Sequence, residues 1–196
     1  MHPQVQQDKP GFCPICGMAL EPKSPTAHSE EKSAEAKDMA RRFWIGLALT
    51  VPLLILAMAH LIPGLHLDRW LPPRVTQFLQ LCLATPVVAW AGWPFFVRGW
   101  HSVRTWHLNM FTLIALGVGA GYGYSVVAAV APQAFPATFR VNVVVPLYFE
   151  AAALITVLVL LGQWLEIRAR SRTGAAIKAF FKQAAKNARV FRNGQE

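Results

Sequence analysis

The sequence predicts an all-α polytopic membrane protein with four transmembrane helices. Four stretches are almost free of charge, at 43–62, 75–97, 105–139 and 143–165, and only the last contains an acid, Glu150. About 20 consecutive apolar residues are enough for a helix to cross the hydrocarbon core of a bilayer. Each stretch is therefore long enough to span a membrane, and we expect the lipid bilayer to be the principal partner of the chain.

Charged residues are distributed unevenly along the chain. Residues 1–40 contain six acids and four lysines, a net charge of −2, whereas residues 41–196 contain four acids and fifteen bases, a net charge of +11. A basic surface can bind nucleic acid, but here the bases punctuate long apolar runs, as in a membrane protein with a basic cytoplasmic side. We therefore predict no nucleic-acid partner. The polar, acidic N-terminus also differs from a cleavable signal peptide.

The same bases predict the orientation of the chain in the membrane. Basic residues concentrate in the cytoplasmic loops of membrane proteins. One side of the four spans carries Lys37, Arg41, Arg42, Arg98, Arg104, Arg168, Arg170, Arg172 and Lys178. The other side carries Arg69, Arg74 and Arg140. Both termini are therefore expected to be cytoplasmic.

The first element is a compact segment that contains Cys13-Pro14-Ile15-Cys16-Gly17. Two thiolates on such a tight turn can share one metal ion. A structural zinc site would require four ligands, and only His2, Met18 and Met1 are available to add. A soft ion such as Cu(I) is satisfied by Cys13 and Cys16 alone. The alternative is a pair of thiols, reduced or in a disulfide; a thioredoxin-like redox role would need a surrounding fold that 20 residues cannot supply.

A kinked helix is predicted between the second and third spans. Gly92 and Pro94 interrupt the helical pattern, which favours a bend. Helical spacing then puts apolar and polar residues on different faces, the first with Phe96, Trp100 and Val103, the second with Arg98, Ser102 and Thr105. We expect this amphipathic helix to lie along the cytoplasmic interface with its aromatic face towards the lipid. The alternative is that the aromatic residues only form an interfacial belt.

Two residues of the third and fourth spans are candidates for an ion path. Glu150 is predicted to lie seven residues into the fourth span, about 10 Å along a helix. A carboxylate within a membrane indicates an ion or proton pathway, although a helix cap or an outward-reaching side chain is the alternative. Met110 begins the third span at its cytoplasmic end. A methionine there is usually a packing residue, but it can also be a thioether ligand of a soft ion.

After the fourth span, the sequence predicts a basic helix to about residue 186. The segment 189–196 then resembles a strand followed by the turn residues Asn193 and Gly194. No returning strand follows in the sequence. We therefore expect the chain to be a fragment of a longer protein.

Taken together, these stretches closely resemble the N-terminal membrane portion of a copper-transporting P-type ATPase of the heavy-metal class. The stretches that carry the resemblance are MHPQVQQDKPGFCPICGMALEP, WAGWPFFVRGWHSVRTWHLNMFTLIALG and YFEAAALITVLVLLGQWLEIRARSRTGAAI. The resemblance implies a multi-pass protein of the bacterial inner (plasma) membrane. It also implies export of Cu(I), and in some members Ag(I), driven by ATP with Mg²⁺ in the complete enzyme. A cytosolic copper chaperone or a soluble metal-binding domain is the implied partner.

The resemblance also assigns roles to individual residues. Met110 corresponds to the ion entrance and Glu150 to the ion exit. Gly92, followed by Pro94, corresponds to the kink of a cytoplasmic docking platform, whose surface would include Arg98 and Arg104. The implied layout is a heavy-metal-binding segment (1–22), a linker (23–40), two class-specific helices with the platform (41–108), two core transmembrane helices (109–168), and a cytoplasmic extension with the start of a β-rich actuator domain (169–196).

The sequence departs from the family pattern in three respects. The kink is Ala91-Gly92 where the family usually has two glycines, and the metal-binding segment lacks the aromatic-Thr-Cys-Pro that usually precedes Met-His-Pro. The transmembrane Cys-Pro-Cys, the Asp-Lys-Thr-Gly-Thr phosphorylation motif and the actuator Thr-Gly-Glu do not occur. This chain alone is therefore expected to be inactive. The rival hypotheses are a stand-alone membrane protein that buffers metal, and part of a Zn(II) or Cd(II) pump.

Overall fold

The computed structural model describes residues 4–7, 13, 14, 20, 29–59, 72–136, 138 and 145–183, and for 29–34 and 170–183 it describes only the helical main chain. This part of the chain contains five α-helices and no strand. The helices are α1 (Ser29–Met58), α2 (Pro73–Thr85), α3 (Trp93–Arg104), α4 (Met110–Val130) and α5 (Phe149–Gln183). A π-helical segment (Pro86–Ala91) continues α2, and a short 3₁₀ turn (Pro132–Ala134) follows α4. The predicted all-α class is confirmed for these residues.

Helix α1 is longer than the first predicted span. It begins at Ser29, so residues 29–40 of the predicted linker (23–40) are helical. The sequence SEEKSAEAKDMARR explains this, because Ala, Glu, Lys and Arg are strong helix formers. Arg42 also forms an ion pair of 2.8 Å with Asp38, one turn earlier, an arrangement that supports an isolated helix.

The helices pack around a main apolar core and a smaller buried cluster. Helix α1 lies along α5, and α4 contacts both α3 and α5. Aromatic pairs mark these contacts: the ring of Phe95 stacks on Phe111 at 6.0 Å, and the ring of Phe43 stacks on Trp164 at 5.8 Å. The largest fully buried apolar side chains are Phe95, Phe149, Leu53, Leu160, Val87 and Val145.

Three helical stretches are long and apolar enough to cross a membrane, judged by length and composition: Glu35–Met58, Met110–Val130 and Phe149–Ala169. The second predicted span, 75–97, corresponds to a bent pair, Pro73–Ala91 and Trp93–Arg104, whose two arms meet at 57°. The described part of the chain therefore has three candidate spans, or four if the bent pair is one span. These features indicate a multi-pass membrane protein.

The end of the described chain is helical. Helix α5 continues to Gln183, close to the predicted end near residue 186. The predicted hairpin at 189–196, and with it the expected start of an actuator domain, lies outside the described residues.

Candidate functional site

The predicted kink lies at Gly92, and the close packing there requires a glycine. The main-chain N–H of Gly92 donates to Val87 O at 3.0 Å, the wide spacing of the preceding π segment. A Cβ added at Gly92 would lie 2.6 Å from Val88 O and 3.1 Å from Cγ2 of Thr156. The main-chain oxygen of Val88 cannot move aside as the end of a flexible side chain could, so only glycine fits at position 92. One glycine is enough for a bend of 57°, although the family usually has two.

Pro94 leaves a carbonyl without its helical donor, and a side chain from α1 takes its place. In a continuous α-helix, Trp90 O would accept a hydrogen bond from the main-chain N–H of residue 94, but proline has none. Nη1 of Arg42 donates to Trp90 O at 2.6 Å instead. The same guanidinium lies 5.1 Å from the centre of the Trp90 ring, within the range of a cation–π interaction.

Arg98 occupies a buried position at the junction of four helices. Only 9% of the residue is exposed. Its Nη2 lies 3.5 Å from Oε1 of Glu35 on α1, and its Nη1 donates to Oε1 of Gln163 on α5 at 3.2 Å. The guanidinium also lies 5.1 Å from the ring centre of Phe111 on α4. The expectation that Arg98 lies on an exposed platform surface is therefore wrong.

The two faces of α3 are only partly as predicted. Phe96 was expected on the aromatic face, but it packs against a small buried cluster of Val88, Val118 and Ala152. Ser102 was expected on the polar face and is fully buried. Arg98 and Ser102 of the polar face thus meet protein and not water. Arg104 is exposed. The large apolar side chains exposed on α3 are Trp93, Val97, Trp100 and Val103.

The C-terminal end of α3 reverses the chain towards α4. The main-chain N–H of His107 donates to Ser102 O, and that of Trp106 donates to Val103 O, the paired bonds of a Schellman motif. Trp106 has a φ of 58°, a left-handed conformation in which glycine is the usual residue. A residue with a Cβ loses about 1–2 kcal/mol there. Ser102 supports the turn, because its hydroxyl donates to His107 O.

Met110 is the first residue of α4 and is 55% exposed. Asn109 caps this helix: its side chain accepts from Thr112 N, and the Thr112 hydroxyl accepts from Asn109 N. This capping box satisfies two main-chain donors at the helix start. The thioether of Met110 is therefore placed on a well-defined helix end, open to its surroundings.

Glu150 lies in the first turn of α5 and is half-buried. The helix begins at Phe149, so Glu150 is its second residue, not one seven residues inside it. A carboxylate at this position is stabilised by the partial positive charge of the helix N-terminus. Ser125 of α4 fixes this end, because its Oγ accepts from Tyr148 N at 2.8 Å and donates to Gly121 O at 2.8 Å.

Met110 and Glu150 lie at opposite ends of the α4–α5 pair. Met110 begins α4, which has 21 residues and is therefore about 30 Å long. The bond from Tyr148 N to Ser125 Oγ holds the start of α5 near the other end of α4. Among the described residues, no group of three or more His, Cys, Asp or Glu side chains is placed to hold a metal ion.

Only part of the metal-binding segment is described. Cys13 is 3% exposed, and Pro14 is exposed. The carbonyl oxygen of Pro14 lies 3.0 Å from Nε2 of His101 on α3. The other predicted ligands, His2, Cys16 and Met18, lie outside the described residues.

Sequence reasoning missed several residues that hold the platform, namely Glu35, Arg42 and Gln163. Pro94 was the usable signal for Arg42, because a proline inside a helical pattern implies a carbonyl that needs another donor. The pairing of Arg98 with Glu35 and Gln163 had no local signal, since both partners are distant in sequence.

Comparisons with known proteins agree with this architecture. A family model described as a heavy metal binding domain matches residues 1–23. The chain is 52% identical over 198 positions to the copper-exporting P-type ATPase of Legionella pneumophila, covering 100% of this chain and 26% of that protein. It is 55% identical over 191 positions to the silver exporting P-type ATPase of Salmonella typhimurium, covering 96% of this chain and 23% of that protein. It is 50% identical over 190 positions to the copper-transporting P-type ATPase of Rhizobium leguminosarum bv. viciae, covering 96% of this chain and 22% of that protein.

The chain thus spans about a quarter of the length of these relatives. The similarity extends over nearly all of its residues and includes both the membrane helices and the metal-binding segment. The chain therefore matches the N-terminal region of P-type ATPases that are named as exporters or transporters of copper or silver, and its residues 1–23 match a heavy metal binding domain.

Proposed function

We propose that the complete protein is an ATP-driven exporter of Cu(I) or Ag(I), and that this chain supplies its metal-binding segment, its platform and the first half of the ion path. The observation that carries this proposal is identity of 50–55% with exporters of copper and silver over nearly the whole chain. ATP and Mg²⁺ would act in parts of the complete enzyme beyond these residues. Both termini of the chain would lie in the cytoplasm of a bacterium, on the basic side of the inner membrane.

Within this function, Met110 would meet the ion at the entrance and Glu150 would receive it near the exit. Their separation at opposite ends of α4 supports the two roles. A thioether suits a soft ion that arrives from cytosolic thiolates, whereas a carboxylate is a hard ligand that binds Cu(I) weakly and so releases it. The half-buried position of Glu150 in the first turn of α5 also suits a site from which the ion leaves.

The N-terminal segment would bind the same ion in the cytosol. The match of residues 1–23 to a heavy metal binding domain supports this role. Cys13 and Cys16 would be the principal ligands, and His2 and Met18 would be additional ones, because thiolate, thioether and imidazole groups all bind Cu(I). A cytosolic copper chaperone or a soluble metal-binding domain would deliver the ion.

The test uses the complete protein reconstituted into vesicles, with metal-stimulated ATP hydrolysis and metal uptake measured together. Met110→Leu keeps the apolar volume but removes the sulfur, and we expect at least a tenfold loss of Cu(I) uptake. Met58→Leu is the matched control, since Met58 is also an exposed methionine at a helix end, and should leave uptake unchanged. Glu150→Gln should reduce uptake and retain Cu(I) binding.

The competing hypotheses give different results in the same assay. Uptake of Zn(II) at a rate that exceeds that of Cu(I) would contradict the proposed cargo. A native protein that binds Cu(I) but hydrolyses no ATP when metal is added would contradict the pump and favour a metal-buffering membrane protein. Equal losses of Cu(I) uptake in Met110→Leu and Met58→Leu would contradict the entrance role of Met110.

A further inference from the structure

The exposed face of α3 carries a stripe of side chains that combines tryptophan with arginine. Its four members follow one another at intervals of four, three and four residues, the spacing that puts side chains on one face of a helix. They are Trp93, Val97, Trp100 and Arg104, and all four are exposed. We call this set the tryptophan stripe. It runs along α3 and ends in a guanidinium group in the last turn of the helix.

The opposite face of α3 is occupied by protein. The ring of Phe95 stacks on Phe111 of α4, and the guanidinium of Arg98 contacts Glu35 of α1 and Gln163 of α5. The tryptophan stripe therefore points away from these three helices. An outward helix face with tryptophan and a base is typical of a helix that lies in the membrane interface, where indole rings rest at the level of the headgroups.

The turn after α3 supports the same interpretation. Trp106 is 88% exposed and has a φ of 58°, a main-chain conformation that glycine adopts at a lower cost. Such a conformation persists where the surroundings or the function require it. An indole exposed to water offers no compensation for this cost, whereas an indole placed between lipid and water does, because one edge is polar and the rest is apolar.

The charges of this region favour an anionic ligand. From residue 93 to residue 110 the sequence contains two arginines and two histidines, and no acid. Arg98 already has Glu35 beside it, whereas the guanidinium of Arg104 has no ion-pair partner within the part of the chain that the structure describes. An arginine on an apolar helix face extends its charged end to the headgroup layer. The anion in that layer is a lipid phosphate, which a guanidinium can bind through two parallel hydrogen bonds.

We infer that the tryptophan stripe is a phospholipid-binding site in which Arg104 binds the phosphate of a lipid with a net negative headgroup. The indole rings of Trp93 and Trp100 hold α3 at the depth where this guanidinium reaches the phosphate. A zwitterionic lipid binds less well, because its own ammonium group neutralises the phosphate charge. The site does not depend on the proposed export function.

Photochemical crosslinking in the complete protein tests the site. Trp100 is replaced by benzoylphenylalanine, and the protein is reconstituted into vesicles of phosphatidylcholine that contain a minority of phosphatidylglycerol. After illumination, mass spectrometry of the peptide identifies the adducts. We expect lipid adducts in which phosphatidylglycerol is enriched roughly fivefold over its share of the vesicle lipid, the effect of one arginine near a membrane surface.

Two variants in this background separate the roles of charge and of the apolar stripe. Arg104→Gln removes the positive charge, so lipid adducts should persist while the enrichment of phosphatidylglycerol disappears. Arg74→Gln is the matched control, because Arg74 is an exposed arginine at the start of α2, the other end of the bent pair, and it should leave the enrichment unchanged.

Three results would overturn the inference. Adducts to protein in place of lipid mean that another part of the complete protein, or a protein partner, covers the stripe. Lipid adducts without enrichment of phosphatidylglycerol contradict an anionic site. Enrichment that survives Arg104→Gln, or that is lost equally in Arg74→Gln, contradicts the role of Arg104. The assay uses neither ATP nor a metal ion, so its outcome is distinguishable from success or failure of the proposed export activity.

Discussion

The guanidinium of Arg98 on α3 lies 3.5 Å from the carboxylate of Glu35 on α1. Arg42, two turns further along α1, donates to Trp90 O at the end of the preceding π segment. Helix α1 therefore contacts both arms of the bent helix, one on each side of Gly92. These two contacts from α1 support the bend, in addition to the local sequence around Gly92.

Replacement of Arg98 tests this arrangement. Arg98→Ala removes contacts to Glu35, Gln163 and the Phe111 ring, and we expect the free energy of unfolding of the 196-residue chain to fall by about 1–2 kcal/mol. The effect is moderate because Glu35 is 43% exposed and water screens the ion pair. Thermal unfolding in detergent micelles measures the change. Arg104→Ala, at an exposed position of the same helix, should change it little; equal effects would argue against the buried role of Arg98.

Arg42 provides a second test, directed at the carbonyl exposed by Pro94. Arg42→Met keeps the apolar stem but leaves Trp90 O without its donor, and the free energy of unfolding should fall by about 1–2 kcal/mol. Arg41→Met is the matched control, because Arg41 is the adjacent residue and is exposed. The same unfolding measurement applies. If both variants behave alike, the bond to Trp90 O contributes nothing measurable.

The close approach of α3 and α4 at Gly99 leads to a prediction of opposite sign at two glycines. A Cβ at Gly99 would lie 2.9 Å from both Phe111 O and Cβ of Ala115, whereas one at Gly123 meets nothing within 4 Å. Gly99→Ala should destabilise the chain by about 1–3 kcal/mol through overpacking. Gly123→Ala should stabilise it by up to about 1 kcal/mol through helix propensity. If Gly99→Ala were as stable as the wild type, α3 and α4 could move apart without a loss of folding stability.

Ser125 allows the start of α5 to be perturbed without altering Glu150. Ser125→Ala leaves the main-chain N–H of Tyr148 without its acceptor at a position where Ser125 is fully buried, so we expect a loss of about 1–3 kcal/mol. Faster amide hydrogen exchange at Tyr148 should accompany it. Thr156→Ala is the comparison, because the Thr156 hydroxyl donates only to Ala152 O in its own helix. Unchanged exchange at Tyr148 would contradict the role of Ser125.

The sequence predicted the bend correctly and misplaced the residues around it, for a physical reason. Gly92 and Pro94 act on the local main chain, so their effect can be read from neighbouring residues alone. The face on which Arg98 lies can also be read from helical spacing, but the spacing does not reveal whether that face meets water or three other helices. Only the tertiary contacts with Glu35 and Gln163 decide it.

The start of α5 illustrates a different limit. The stretch 143–165 carries no charge apart from Glu150, so the charge pattern gave no boundary within it. Pro146 was an available signal, because proline favours a position outside or at the start of a helix, and α5 begins three residues after it. Glu150 was therefore identified as a distinctive residue, but its depth along the helix was overestimated.

The bond from Arg42 to Trp90 O also has an evolutionary consequence. Any residue other than proline at position 94 would bring back a main-chain N–H able to satisfy that carbonyl, and Arg42 would then be free to change. Loss of Arg42 while Pro94 remains leaves the carbonyl without a donor from the protein. Positions 42 and 94, which are 52 residues apart, are therefore expected to vary together between relatives, with proline at one accompanied by arginine at the other.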